Sequence, residues 1–589
     1  MKRRAGALIP ALALLLLLFA LPLRAATSAP SLKIDGPTAL ADLLGAHLEL
    51  ARTLREDEVS ELSSDELARL AAAAPAQARD LLQTEGYFDP TLRLDGDAAS
   101  GGWTLHVAPG PRALVAEATL YFDGDLGAPA QAAAAAQLRR AWTQPPGRPF
   151  TQTDWDAAKT DLLTRVRAAG WPLARWTSTV ARVETARQAV HLSLLLDSGP
   201  RARLGALQIV GLHLQSEQSV ERLAGFAPGT PYTQALLDDF QDRLRRTQLF
   251  DSVSVALAPE LDAAHADAAP VIVRLREAPR RQTTVGVGFH ANTGQSASLE
   301  LLDRQPFGLP LTARNKLQFG RELRAGSLEL SSYPQADMSR NLASLQAEQD
   351  RSGAEVLDTL SARVGRVHEQ GHDERLVYAE WLHSLQTDAN GRSSSDAVSF
   401  NVQWKRSRVD NALLPTEGTQ ALLLLGGGRA EASNAASGLF GRARLLLQAY
   451  RPIGGWYGST RLELAEVFAA SNIGVPQKLL WRAGGDDSVR GYAYQALGPT
   501  VNGLAVGGRV MATGTVELAH PLFASMPSLW GAGFVDAGQA AQRWQDWRPD
   551  WGVGGGVRWR SPVGPLRVDI ARGVEVHHWR LHFSVGVNW

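Results

Sequence analysis

In 589 residues this chain has no cysteine, which excludes disulfide frameworks, thiolate nucleophiles and thiolate metal sites. It also lacks a prevailing charge: Lys+Arg and Asp+Glu both number 60, so bulk electrostatics gives no argument for nucleic acid and partners must be read from shape. Beyond the N-terminus there is no apolar run approaching a spanning helix, so a bilayer protein built from this sequence must be a closed β-barrel, with its backbone polar groups paired between strands. Enzyme templates are missing too. Neither G-x-S-x-G nor G-x-x-x-x-G-K-[ST] occurs, and Gly426-Gly427-Gly428 follows an expected strand without the Lys-Ser partner of a phosphate loop.

What is present begins with a targeting pattern. Lys2, Arg3 and Arg4 precede the apolar stretch Leu8 to Leu23, and the small residues Ala25, Ala26, Ser28 and Ala29 follow. This layout predicts a secretory signal peptide over residues 1–26, with the mature chain starting between Ala26 and Pro30. The competing reading, an uncleaved anchor, has to accommodate Pro10 and Pro22 in a run shorter than the ~20 residues that span a bilayer.

The other end is equally legible. Trp579, Leu581, Phe583, Val585, Val587 and Trp589 alternate with Arg580, His582, Ser584, Gly586 and Asn588. A strict period of two is a β-strand, and one apolar and one hydrophilic face separate two unlike media. The pattern predicts the closing strand of an outer-membrane barrel. Alternation extends back to about Arg281: Val285, Val287 and Phe289 oppose Gly286, Gly288 and His290, and Trp551, Val553, Val557 and Trp559 oppose Gly552, Gly554, Gly556 and Arg558. A soluble sandwich could show a similar pattern, with the apolar face turned inward. Strands of ~9–11 residues plus their connections would give roughly 14 to 18 strands over residues 281–589, and an even number is expected.

Residues 31–280 repeat a unit of roughly 80 residues. Each copy opens on a strand-like run (Leu32 to Ile34, Leu114 to Phe122, Leu204 to Val210). Helical segments follow, then a turn (Gly86-Tyr87-Phe88, Gly170-Trp171-Pro172, Leu249-Phe250-Asp251), two strands and a Pro-Arg closer at Arg112, Arg201 and Arg280. The prediction is three β-α-α-β-β copies over 31–112, 113–201 and 202–280. Helices are expected where Ser63 and Glu66 form a capping box, where Trp155, Leu162 and Val166 share a face, and where Leu236, Phe240 and Leu244 do so.

Three motifs then stand in order: Gly484-Gly485-Asp486-Asp487-Ser488-Val489-Arg490-Gly491-Tyr492; Gly533-Phe534-Val535-Asp536-Ala537-Gly538; and Gly554-Gly555-Gly556-Val557-Arg558 continuing through Gly564, Pro565 and Arg567 to Asp569. Between recurrent modules and an aromatic C-terminus, this set resembles the barrel-assembly superfamily of BamA, TamA and the two-partner secretion transporters, whose periplasmic modules are POTRA domains. The resemblance covers essentially all of the mature chain. It implies α+β POTRA repeats followed by a transmembrane antiparallel β-barrel of sixteen strands. Three modules point within that family to a TamA-like subunit of the translocation and assembly module. The family's mechanics imply that the loop carrying Val489, Arg490, Gly491 and Tyr492 folds into the lumen, with Asp536 and Glu517 as the acids that meet Arg490. The alternative is a solvated Arg490 in an ordinary loop.

His368-Glu369-Gln370-Gly371-His372 matches the zincin signature H-E-x-x-H. Zinc chemistry needs both histidines on one helix face, whereas Gly371 and the flanking Val364, Val367, Val377 and Tyr378 suit a hairpin. No metal or cofactor is expected. A lateral seam between Val285, Gly286, Val287, Gly288 and Phe289 and the terminal Phe583, Val585, Gly586, Val587 and Trp589 is expected to be weak, because its glycines reduce packing. The same glycines could instead be there only for fit. Together these features predict a non-enzymatic outer-membrane insertase for β-barrel clients such as autotransporters. The resemblance implies a TamB-like, inner-membrane-anchored partner at the first module. A pore secreting a dedicated polypeptide, and a passive porin, are the alternatives.

Overall fold

The computed structural model describes residues 31–55, 63–97, 102–290, 294–351, 355–388, 391–412, 414–501, 504–561 and 564–585. The expected signal peptide and the seam residues Gly586, Val587 and Trp589 lie outside them. Two compact units form: one holds the first two modules, the other most of the third module with the C-terminal sheet.

In the first module, strand Ser31–Asp35 lies parallel to Gly102–Ala108, which pairs antiparallel with Thr91–Asp97, so the sheet order is first-third-second. Three helices cover it, one more than the repeat predicts: Thr38–His47, Glu49–Thr53 and Ser64–Thr84. The last begins where Ser63 Oγ accepts the Glu66 N–H at 3.2 Å. Leu67, Leu70, Ala71, Ala74, Ala78 and Leu82 then recur at helical spacing and are buried, as is the alternating face Trp103, Leu105 and Val107 of the central strand.

The second module repeats the design. Leu114–Asp123 runs parallel to Ala189–Asp197, flanked on its other side by Arg175–Glu184. Helix Gln152–Ala168 is capped by Thr151, whose Oγ1 accepts from Asp154 N–H at 2.9 Å. It buries Trp155, Ala158, Leu162 and Val166 in one cluster with Val190, Leu192, Leu194 and Leu196. Each such large apolar side chain contributes about 1.5–3 kcal/mol.

The recurring turn and closer have a common physical cause. Arg201 lies over the buried Trp171 ring at 5.5 Å, and Arg112 lies over Tyr87 at 5.7 Å while donating to the Glu85 carbonyl at 2.8 Å. In these two modules the closing arginine staples the turn of its own module, whereas Arg280 pairs with Asp303 of the barrel at 3.3 Å. In the third module Leu204–Val210 is parallel to Ala269–Glu277, with Phe250–Leu257 beyond it. Helix Gln234–Arg246 buries Leu237, Phe240 and Leu244, leaving Leu236 half-buried at the edge of the stripe.

From Arg281 sixteen antiparallel strands follow, each bonded to the next. The sheet curls round until its first strand, Arg281–His290, meets its last, Trp579–Val585, at a single pair among the described residues, His290 with Ser584. Its faces are inverted relative to a soluble sandwich. Val287, Phe319, Val364, Phe400, Leu439, Trp579 and Leu581 point outward and are exposed, while the inner side holds ion pairs such as Arg363–Glu380 at 2.7 Å and Arg444–Glu463 at 2.8 Å. A greasy outside and an ionic inside are what a sheet surrounded by lipid requires. Among the described residues no helix is long and apolar enough to cross a membrane. The histidine motif ends in a hairpin: His368 pairs across the ladder with Arg375, and Gly371 turns the chain at φ +60°.

Candidate functional site

Residues 470–501 and 504–509, between wall strands Trp456–Ala469 and Val510–Phe523, leave the sheet and fold back against its inner face. Val489 and Tyr492 are buried there with Ala465, Met511 and Ala540 of the wall, which gives the loop an apolar foothold.

Arg490 sits between them with 6% of its surface exposed. Its Nε and Nη2 donate to both oxygens of Asp536 at 2.7 and 2.9 Å, and its backbone N–H donates to the same carboxylate at 3.0 Å. Nη1 reaches Glu517 at 3.0 Å and Asp569 at 3.1 Å. The guanidinium lies flat on the Phe534 ring, 3.3 Å from its centre. Only a planar fork can grip one carboxylate with two parallel bonds, stack on a ring and still reach two more acids.

A second arginine completes the cluster. Arg558 donates to Glu517 at 3.1 and 2.8 Å and to Asp569 at 3.0 Å, so both cations share the last two acids. Two guanidinium groups and three carboxylates are thus withdrawn from water together. Each ion is tolerated there because the others replace its hydration.

Room for this cluster comes from the glycines of strand Asp550–Ser561. A Cβ on Gly552 would stand 2.0 Å from the Arg490 carbonyl oxygen, one on Gly554 2.6 Å from Phe534 Cζ, and one on Gly556 1.9 Å from Asp569 Oδ1. The glycine stripe is a trough cut to seat the loop. Gly491 turns at φ +96°, where a Cβ would come within 2.4 Å of the Gly573 nitrogen.

Two further tethers tie the loop to the end of the chain. Gly491 N–H donates to His582 Nε2 at 2.9 Å, and His582 Nδ1 contacts Asp486 of the same loop. Since Nε2 accepts, the ring proton resides on Nδ1 and is shared with that carboxylate. The Tyr492 hydroxyl meets Glu575, which also accepts the Trp551 N–H at 2.9 Å. On the module side of the cluster lies a cavity of about 790 Å³, bordered by Lys405, Arg444, Tyr450, Arg461 and Arg567.

Of the residues singled out in the sequence, the structure brings together Val489, Arg490, Gly491, Tyr492, Glu517, Phe534, Asp536 and Asp569. Gly538 pairs with Thr513 and Asp550 beside them. Gly564 and Pro565 lie in the neighbouring hairpin, paired with Ser561 and Arg560, and Arg567 faces the cavity. Sequence reasoning quoted Asp486, Arg558 and His582 without giving them a role at this site, and missed Glu575. For Arg558 and His582 the available signal was a charged or imidazole side chain on the inward face of its strand. On the seam, Val285 and Val287 are 73% and 88% exposed, while Gly286 and Gly288 take the alternate positions and Phe289 and Val585 lie in the paired backbone. Phe583 is half-buried.

A family model described as the Omp85 superfamily domain matches residues 282–589. The outer membrane protein assembly factor BamA of Neisseria meningitidis serogroup B is 22% identical over 594 residues, spanning 87% of this chain and 72% of that protein. The crystal structure of BamA from Haemophilus ducreyi lacking POTRA domains 1–3 superposes with a TM-score of 0.65 at 16% identity, covering 80% of this chain and 99% of that one. CdiB from Acinetobacter baumannii aligns with a TM-score of 0.45 at 15% identity, over 80% of this chain and 90% of its own.

Proposed function

Because the chain belongs to the Omp85 superfamily, we propose that it is an outer-membrane insertase, which helps other β-barrel proteins to fold and integrate without catalysing a covalent step. It resides in the outer membrane with its POTRA-like modules in the periplasm. The observation that carries the reading is the seam. The first strand, which pairs with its inner neighbour along ten residues, carries Gly286 and Gly288 at alternate positions where they offer no side chain to hold a neighbour, and it meets the last strand at His290 and Ser584.

An unpaired strand edge templates an incoming strand. A client that adds its own strand there gains backbone bonds that would otherwise be lost in lipid, where each unsatisfied group costs several kcal/mol. The Arg490 cluster supports this as a brace. It fixes the loop to Asp536 and Asp569 on two wall strands and, through His582, to the seam strand itself. A packed loop in the lumen weighs against a polypeptide leaving by that route.

The finer reading is a TamA-like subunit that serves autotransporters. It rests on the three modules, whose parallel opening strands lie at sheet edges open to strand addition. Such an edge on the first module would receive a TamB-like periplasm-spanning partner.

Cysteines replacing His290 and Ser584, oxidised to a crosslink in vesicles, are expected to abolish insertion of an autotransporter client, and reduction should restore it. Full insertion with the crosslink complete would overturn the proposal. Clients captured by lumen photocrosslinkers but not by seam ones would favour secretion through the pore.

A further inference from the structure

Phe307 is the most exposed large apolar side chain among the described residues, at 96%, and its backbone is left-handed at φ +54°. A side chain larger than glycine's adopts that conformation only at a cost in free energy, so the surroundings must hold it there. The turn that carries it joins strands Gly294–Asp303 and Leu311–Gly320. It lies at the module end of the barrel, since Asp303 pairs with Arg281, where the chain enters from the third module.

The base of this turn is rigid. Arg304, 9% exposed, donates to the Gln248 carbonyl and the Pro279 carbonyl, each at 2.8 Å, and to Gln282 at 3.1 Å, while its own carbonyl accepts from the Tyr333 hydroxyl at 2.6 Å. Gln305 adds a bond to the Leu214 carbonyl at 3.2 Å. Gln248 and Leu214 belong to the third module, so module and turn are bolted together.

The tip is of opposite character. From Gln305 to Leu311 there is no charged residue, and Leu309 is 51% exposed beside Phe307. Pro306, Gly308 and Pro310 supply the turn geometry, and the side chains left at the tip are Phe307 and Leu309, with none of the Asn, Asp or Ser common in turns that face water. Further along its two strands the outward face is apolar, with Leu301, Leu317 and Phe319 exposed, and Asp303 with its partners Arg280 and Arg281 lies between that band and the turn.

We propose that the turn Pro306–Pro310 is an interfacial anchor whose Phe307 and Leu309 side chains seat in the periplasmic leaflet of the outer membrane. Through Arg304 it holds the third module against the bilayer beside the seam. The inference rests on the outer-membrane location and not on insertase activity, so it stands or falls separately.

Because the chain has no cysteine, single substitutions F307C and L309C in the full protein can each carry one bimane label. The probe is dioleoylphosphatidylcholine vesicles containing phosphatidylcholine with a nitroxide at acyl carbon 5. Labels at L317C on the barrel and Y121C on the second module serve as references. Quenching at 307 and 309 is expected to be several-fold, close to that at 317, with little effect of aqueous iodide. Iodide quenching equal to that at 121, without nitroxide quenching, would overturn the anchor. Shielding from both quenchers would also overturn it, in favour of a protein cover.

Discussion

The barrel wall is built unequally around its circumference. Far from the chain ends, Asp373–Asp388 pairs with Gly391–Val409 along sixteen residues, and strands there run 15 to 19 residues. Where the chain enters the wall, the first four strands span ten residues each. At ~3.3 Å per residue, the far strands reach well past the hydrocarbon core while these four just cover it. The far wall therefore holds the larger share of the inter-strand bonds, and the entry side the smaller.

The strongest challenge to that contrast is a pair of crosslinks. A bond between cysteines at Val377 and Val402, already paired across the far wall, should leave client insertion unchanged, whereas the His290–Ser584 bond stops it. Equal effects would erase the distinction. Next in size is Arg490→Ala, which leaves the fully buried Asp536 without its cation; losing one partner of a buried pair costs about 3–5 kcal/mol. We expect residues 484–492 to become protease-sensitive and insertion to fall several-fold, while the barrel keeps its heat-dependent migration on gels.

Gly491→Ala forces a Cβ toward the Gly573 nitrogen at a left-handed position, and should loosen the same loop by roughly 1–3 kcal/mol, read as intermediate protease sensitivity. The smallest effect is expected on the far side. Arg429 pairs with Glu431 at 3.3 Å with both side chains about 60% exposed, so Arg429→Ala should shift denaturant stability by no more than about 1 kcal/mol.

Much of this architecture is legible in the chain. Alternation from Arg281 onward exposes the sheet because a strand's side chains must switch faces, and burial confirms it at Trp551, Trp559, Val568 and Ile570. The even count of sixteen strands agrees with the family resemblance. The second, extra helix of the first module is not visible in the sequence, since Glu49–Thr53 is only five residues long and offers too little period to detect. The pairing of Arg490 with Asp536 and Glu517 is what the family resemblance implied, and the structure shows both contacts. Arg558 and His582 could not be placed there, because their proximity to Arg490 depends on the register of three non-adjacent stretches.

Local chemistry alone thus indicated which residues share an apolar face, where strands and helices recur and which loop carries Arg490 beside Gly491, since each follows from spacing along the backbone. Tertiary structure decided what no spacing encodes. Asp569 and His582 become neighbours of a loop some eighty and ninety residues upstream only because antiparallel pairing slides Gly564–Gly573 against Trp579–Val585 in one register. The same register brings Trp579–Val585 round to the first strand, where His290 meets Ser584.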